Sequence, residues 1–407
     1  MGQVISVNSA TVGQIAVFSL DRSLTGQDPR VFTDPQPEPG DAVDRMASRI
    51  LADPEVTHVH VLSNVVTVGR NDDWDIGTLN AAKDTIATMF IYYGAEEPDQ
   101  LRAEHYNATI SHIRAHNPDL WVIKVRPDEA PQDYKPGQYT TLGLGYWEPR
   151  SDEAPEEFDP KKHDRMALRS YSVSSSIVDE RGNPVPRGGR EVEFYIVKVR
   201  PGQVEIPALT PRLFSKDVGD RLYMGRKFAG RYTLEGIEPT DNLLFLSTGT
   251  GEAPQNAMIS ELLHRGHEGR MLNVVCVRYL ADLAYTAEHA RVEAGWPNYT
   301  YHAFATREPP PGTEKKYIQD LILDGTVEQL MGAPLDPTNT HVFICGNPAM
   351  IGLPQWGQDG SLTFPPALGV AQILHERGFT LDFRREKGNV HYEEFWTERG
   401  AVEPADE

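Results

Sequence analysis

The pattern of apolar and polar positions changes character twice along the chain. Residues 41–50 (DAVDRMASRI) repeat apolar side chains at helical spacing. Two short runs follow, 56–62 (VTHVHVL) and 65–69 (VVTVG), whose β-branched content and alternation predict strands. A turn at Asn71-Asp72-Asp73 precedes a second helix predicted from about residue 76 to 93. This order predicts a small α+β domain over residues 1–102.

From about residue 103 to 236 the apolar segments shorten and alternate, as in 121–125 (WVIKV), 190–199 (REVEFYIVKV) and 221–224, with Pro/Gly turns between them. Evenly spaced short strands of this kind predict an antiparallel β-barrel. The stretch 147–163 (WEPRSDEAPEEFDPKKH) is acidic and proline-rich and is expected to be a solvated loop. Over 237–396 apolar strands (243–246, 273–277, 299–305, 341–344) alternate with helical stretches. That is the pattern of an α/β domain with a parallel sheet and crossover helices. Residues 397–407 form a polar tail.

Composition narrows what these domains do. The formal net charge of -20 argues against nucleic acid and anionic membrane as partners. The two cysteines, Cys276 and Cys345, are too few for a disulfide framework or a cysteine-ligated cluster. No apolar run approaches the roughly 18 residues that a membrane span needs, and the first residues lack a signal-peptide pattern. A cytoplasmic location is the expectation. Electron transfer by this chain would require a bound organic cofactor.

Three segments carry candidate chemistry. Arg169-Ser170-Tyr171-Ser172 follows Lys135-Pro136-Gly137-Gln138-Tyr139 in the barrel region. A guanidinium fork can hold a pyrophosphate, an aromatic ring can cover a flavin or ribose face, and a hydroxyl can reach a ring nitrogen. Next, Ser247-Thr248-Gly249-Thr250-Gly251-Glu252-Ala253-Pro254 joins an apolar strand to a helical stretch, 255–264. A glycine turn there lets backbone N–H groups approach a pyrophosphate at a helix N-terminus. It is not G-x-G-x-x-G. Third, Cys345-Gly346-Asn347-Pro348-Ala349-Met350 follows another predicted strand, so Cys345 is expected to face the crevice at the strand ends. Taken singly, each also has a bland reading: a polar barrel strand, an ordinary Gly-rich turn, a buried inert thiol.

Taken together and in this order, the three segments resemble the ferredoxin–NADP+ reductase family over about residues 103–396. RSYS matches its R-x-Y-S flavin motif, GTGEAP its G-T-G-x-A-P motif and CGNPAM its C-G-N-P-x-M motif. The resemblance implies FAD and NADP as cofactors and a ferredoxin or flavodoxin as electron partner. It implies that Arg169 pairs with the FAD pyrophosphate, with Ser170 beside it. Tyr171 would pack on the flavin and Ser172 would lie near its N5. Tyr195 and Val197 match the next flavin-contacting strand, and Ala208-Leu209-Thr210 the segment that holds the FAD phosphates. Thr250 and Gly251, with Gly346 and Asn347, would serve the nucleotide. Ser172, Cys345 and Glu393 would be the catalytic group.

A 2′-phosphate needs cations or hydroxyls, whereas a bare ribose favours a carboxylate. Thr306-Arg307 and Tyr317 resemble the family's NADPH-selective pattern, with Arg278 a second phosphate-side arginine and Lys315 read as a solvated charge. The end of the pattern, His391-Tyr392-Glu393-Glu394-Phe395-Trp396, resembles bacterial members that finish in an aromatic pair. By that match Phe395 would cover the flavin and Trp396 would stack near its adenine. Because the chain continues past Trp396, Tyr392 competes with Phe395 for that position.

The N-terminal stretch 48–93 resembles the N-terminal domain of Nfu/NifU-like scaffold proteins, through its N-x-V-T-V strand, the Trp74-Asp75 turn and the helix after it. In that family cluster chemistry belongs to a C-x-x-C domain, which this sequence lacks, so no metal site is expected, and the domain is read either as a docking module for an iron–sulfur protein or as a purely structural appendage. Two alternatives to ferredoxin–NADP+ reductase activity stand beside it: a reductase component for an oxygenase, and an assembly adaptor with a reductase-like half.

Overall fold

The computed structural model describes residues 5–35, 40–87, 89, 97–151, 162, 164–185, 188–199, 207–357, 361–384 and 386–394. Phe395, Trp396, the tail and most of the acidic loop lie outside the described residues. The chain divides into two compact units, residues 1–100 with 156–164, and residues 101–155 with 165–407.

In the first unit, strands β1 (Val7–Val12), β2 (Ile15–Leu20), β3 (Arg30–Phe32), β4 (Val56–Leu62) and β5 (Val65–Arg70) form an antiparallel sheet in the order β1-β2-β5-β4-β3. Helices α1 (Ala42–Ile50) and α2 (Ile76–Ala87) supply apolar side chains to its core. Asp41 caps α1 by accepting from Val43 N and Asp44 N, and Asp44 accepts from Asp41 N in return. Phe18, Val59, Val61, Val66 and Val68 are fully buried on the helix side. Their alternate neighbours on the other face, Val17, His58, His60, Val65 and Thr67, are only half-buried, and Leu62 is exposed. Three of the five strands were not expected from sequence. β1 has a single buried residue, so period-two burial leaves little trace in it.

The second unit begins with α3 (Glu97–His105), whose first residues belong to the other unit. Strands β6 (Ala108–Asn117), β7 (Leu120–Pro127), β8 (Tyr139–Gly145), β9 (Met166–Ser174), β10 (Val192–Val197) and β11 (Arg221–Met224) close a barrel in the order β10-β7-β6-β11-β8-β9. A short helix, α4 (Thr210–Leu213), packs on it. The buried carboxylate of Glu148 ties the barrel to its flanks. It accepts from Arg102 Nε at 2.8 Å, Tyr106 OH at 2.9 Å and the Lys216 ammonium. Burial alone would raise this carboxyl, but Arg102 and Lys216 hold it below its usual range.

Strands β12 (Asn242–Thr248), β13 (Met271–Val277), β14 (Tyr299–Ala305), β15 (Thr340–Gly346) and β18 (Val390–Glu394) make a parallel sheet ordered β14-β13-β12-β15-β18. A two-stranded ladder, β16 (Gln355–Trp356) with β17 (Leu362–Thr363), lies between β15 and β18 in sequence. Helices α5 (Glu252–Arg265), α6 (Thr286–Gly295), α7 (Ile318–Leu323), α8 (Thr326–Met331), α9 (Pro348–Ile351) and α10 (Val370–Glu376) cross between strands. β13 is buried at every position, as a strand covered on both faces must be. Among the described residues no helix is long and apolar enough to cross a membrane.

Candidate functional site

All five parallel strands end on the same edge, so the residues after each one are brought together whatever their separation in sequence. After β12 the chain makes a 3-10 turn over Gly249–Gly251 into α5. β15 ends at Gly346, and Asn347 follows it. These two turns touch. A Cβ on Gly251 would sit 2.3 Å from the Cys345 carbonyl oxygen, and one on Gly346 (φ +136°) would sit 2.2 Å from Thr248 Oγ1. Neither position has room for a side chain. Thr248 Oγ1 accepts from Asn347 N at 2.8 Å and joins the loops directly. Thr248 was not among the expected site residues. The two motifs each required glycines, and the hydroxyl that clamps them follows only from their contact.

The barrel meets this edge through β9. Leu168, Arg169 and Ser170 are three consecutive exposed residues in a strand that otherwise turns inward. Among the described residues the Arg169 guanidinium donates to its neighbour's carbonyl, Leu168 O at 2.7 Å, and it is placed on an open surface. Ser172 Oγ donates to Glu393 Oε2 at 3.1 Å, across 221 positions of sequence. Glu393 is in turn the register partner of Cys345 on the adjacent strand. The structure thus brings the three expected catalytic residues into one cluster. Burial pushes the Glu393 carboxyl up to about 7, with the Ser172 hydrogen bond opposing it. Glu393 and Tyr392 line a cleft of about 550 Å³ with Tyr139, Arg231 and Lys387.

Several expected residues sit differently. Cys345 does not face an open crevice. Its side chain is wholly buried in the core beside Phe245 and Phe343, and burial, then Glu393, raises its thiol well above the usual range. Tyr195 is also turned inward. Alternation along β10 points it away from the barrel core towards Tyr285, edge to face at 5.2 Å, and its hydroxyl donates to Asp282 O at 2.9 Å. Ala208, Leu209 and Thr210 are buried, and the Thr210 hydroxyl accepts from Val199 N at 3.0 Å. Val197 is exposed at the end of its strand. Tyr392 donates its hydroxyl to Asp382 O at 2.9 Å. Phe395 and Trp396, the other aromatic candidates, lie outside the described residues.

At the far side of the same edge, Arg278 and Arg307 are exposed after β13 and β14, and their backbones are joined by Arg307 N to Arg278 O at 2.9 Å. Thr306 Oγ1 donates to Val277 O at 3.3 Å. Tyr317 is half exposed, and the Lys315 ammonium lies 4.4 Å from its ring centroid. Lys315 is therefore placed on an aromatic face as well as in solvent.

A closed antiparallel barrel whose open strand meets the motif-bearing edge of a parallel sheet defines a two-domain, nucleotide-dependent oxidoreductase architecture. Residues 245–355 match the oxidoreductase NAD-binding domain. The chain is 30% identical over 181 residues to the flavodoxin/ferredoxin–NADP reductase of Shigella flexneri, covering 43% of this chain and 67% of that protein. It is 28% identical over 193 residues to the ferredoxin–NADP reductase of Pseudomonas aeruginosa, covering 45% and 68%. This chain belongs to the ferredoxin/flavodoxin–NADP reductase family. In fold it is also similar to a ferredoxin NADP+ reductase from Neisseria gonorrhoeae with bound FAD and NADP, at a TM-score of 0.53 and 20% identity over 71% of this chain and 98% of that one.

Proposed function

We infer that this protein is a flavoenzyme that binds FAD on the barrel, binds NADP on the parallel sheet, and moves electrons between NADPH and ferredoxin or flavodoxin. The observation that carries the reading is the Ser172–Glu393–Cys345 cluster, where an exposed barrel strand meets the edge of the sheet. The residues fit both groups. Three outward side chains in mid-strand on β9 leave a face for a planar ring and a cation for its phosphates. Two glycines that tolerate no Cβ leave backbone N–H groups at the start of α5 open to a pyrophosphate.

Bound FAD would supply the conversion between two-electron hydride chemistry and single-electron release. The protein supplies position and protons. Arg169 holds the FAD pyrophosphate and Tyr171 packs on its ring. Glu393, titrating near neutrality, holds a proton 3.1 Å from Ser172 Oγ, so the two form a short proton path to the barrel strand. Arg278, Thr306 and Arg307 select a 2′-phosphate, and Tyr317 stacks on adenine. The N-terminal unit is an Nfu-like domain that docks an iron–sulfur protein and carries no cluster, which accords with the absence of cysteine before Cys276.

The test uses the intact chain loaded with FAD. NADPH should bleach its flavin absorbance, and ferredoxin or flavodoxin should couple that oxidation to cytochrome c reduction. A chain that stays colourless with added FAD rules the reading out.

A further inference from the structure

The turn that would receive the pyrophosphate carries an unusual acid. Glu252 follows Gly251 directly and opens the first turn of α5, yet it is 1% exposed. Its Oε1 lies 2.7 Å from Nε2 of His289, a residue of α6 that is itself 0% exposed. The other ring nitrogen, Nδ1, lies 2.7 Å from Tyr299 OH, to which Asn273 Nδ2 donates at 3.3 Å. The Tyr301 ring stacks on the imidazole, centroids 4.0 Å apart at 15°. One turn along the same face of α5, both side-chain amide atoms of Asn256 are buried without a partner among the described residues.

Two charge states satisfy this network. A neutral imidazole donates from Nε2 to the carboxylate and accepts from Tyr299. An imidazolium donates from both nitrogens, and Tyr299 then donates to the Asn273 amide in its flipped orientation. The pair is worth one negative charge in the first state and none in the second. A helix N-terminus favours anions, so an unneutralised Glu252 competes for that same field with any phosphate bound at the turn.

We propose that the buried Glu252–His289 pair regulates the charge at the dinucleotide pyrophosphate subsite, so that protonation of His289 strengthens NADP binding. The proposal rests on the reading that the GTGEAP turn binds NADP. The other groups around the pair are three tyrosines, one acid and one arginine. Tyr299 and Tyr301 come from β14 and Tyr195 from β10, all kept protonated by burial. Glu293 of α6 is occupied in accepting from Tyr301 N at 2.8 Å. Arg114 of β6 is engaged with Ala284 O, the Tyr285 ring and Glu288.

The experiment measures Kd for NADP+ from pH 5 to 9 on the FAD-loaded intact chain. Adenosine 2′-monophosphate, which lacks a pyrophosphate but shares the titrating 2′-phosphate, is measured in parallel by competition. Wild-type Kd for NADP+ should rise about tenfold with pH beyond the change seen for adenosine 2′-monophosphate. His289→Gln should be fixed at the weak limit and Glu252→Gln at the tight limit, with no such excess in either. The conservative Glu252→Gln carries the test alone if His289→Gln does not fold. Equal weakening by both variants, or parallel changes for adenosine 2′-monophosphate, marks a merely structural pair and overturns the proposal. Wild-type protein that binds no NADP+ at any pH overturns the site reading and the proposal with it. Binding that shows no excess pH dependence overturns the proposal alone.

Discussion

The described residues hold two five-stranded sheets built on opposite principles. The N-terminal one is antiparallel and covered by helices on one face. β4 reads as alternating burial, with Val59 and Val61 inward and His58 and His60 half-exposed. The C-terminal one is parallel, and β13 is buried throughout. In the antiparallel sheet consecutive strands end at opposite edges, so residues that follow each strand are scattered. In the parallel sheet every strand delivers its following residues to one edge. Thr248, Arg278, Thr306, Gly346 and Glu393 come from five strands and share that edge. Chemistry therefore concentrates in the second sheet. What the first sheet offers is a surface.

The sharpest way to break this comparison is to load the two faces of the N-terminal sheet differently. Phe18 is fully buried on the helix side, edge to face with Trp74 at 6.2 Å. Phe18→Ala should cost about 3–5 kcal/mol of local stability, read as faster hydrogen exchange of the β2 and β5 amides. Val31, 65% exposed on the other face, should tolerate serine within about 0.5 kcal/mol. Comparable losses at both sites would mean that the second face is covered too.

At the parallel edge the largest effect should come from Glu393. Glu393→Gln should lower the rate of flavin reduction by NADPH about 100-fold, the lower end of what a positioned proton donor contributes. The wild-type rate should also show a step at about pH 7, where Glu393 gives up its proton, and the variant should lack it. The sign for stability is separate. The folded carboxyl titrates above its ordinary value of 4.5, so the neutral form is the one that folding favours. Stability is complete below about pH 4.5, declines as pH rises through about 7, and that decline should vanish in Glu393→Gln. Urea midpoints at pH 5 and 8 read it.

A smaller effect is expected on the nucleotide side. Arg307→Ala should reduce the preference for NADPH over NADH about tenfold, as loss of a guanidinium–phosphate contact does. The ratio of kcat/KM for the two nucleotides reads it directly. An unchanged ratio would move the 2′-phosphate to Arg278 or Lys315.

These contrasts explain what the sequence could tell. Apolar runs marked β12, β13 and β15, because strands largely buried on both faces leave few polar positions to interrupt them, whereas the edge strand β14 is only partly buried through its middle and keeps Thr300 and His302. β1 and the three-residue β3 were invisible for the opposite reason. They are edge strands with few inward side chains, held mostly by backbone pairing to β2 and β4. The local motifs RSYS, GTGEAP and CGNPAM were legible because turn geometry and phosphate chemistry restrict residue types over a few positions. The Ser172–Glu393 bond, the inward turn of Tyr195 and the Glu252–His289 pair were not, since each joins segments far apart in the chain. Phase along a strand decides which face a side chain takes, and a motif does not carry that phase.

The finest probe of the parallel edge is Thr248, which no motif singled out by chemistry. Its hydroxyl accepts from Asn347 N and lies where a side chain on Gly346 would otherwise go. Thr248→Ala leaves that N–H without its protein partner at the rim of the sheet, where water can replace it in part. The cost should be about 1 kcal/mol, spent on the register of one loop against the other and not on the fold. NADP+ affinity should therefore fall about fivefold while the FAD spectrum and the unfolding midpoint stay the same, and Thr248→Ser, which keeps the acceptor, should restore binding. Failure of serine to restore it would assign the effect to the threonine methyl group, and the two loops would then be joined by packing instead of by the hydrogen bond.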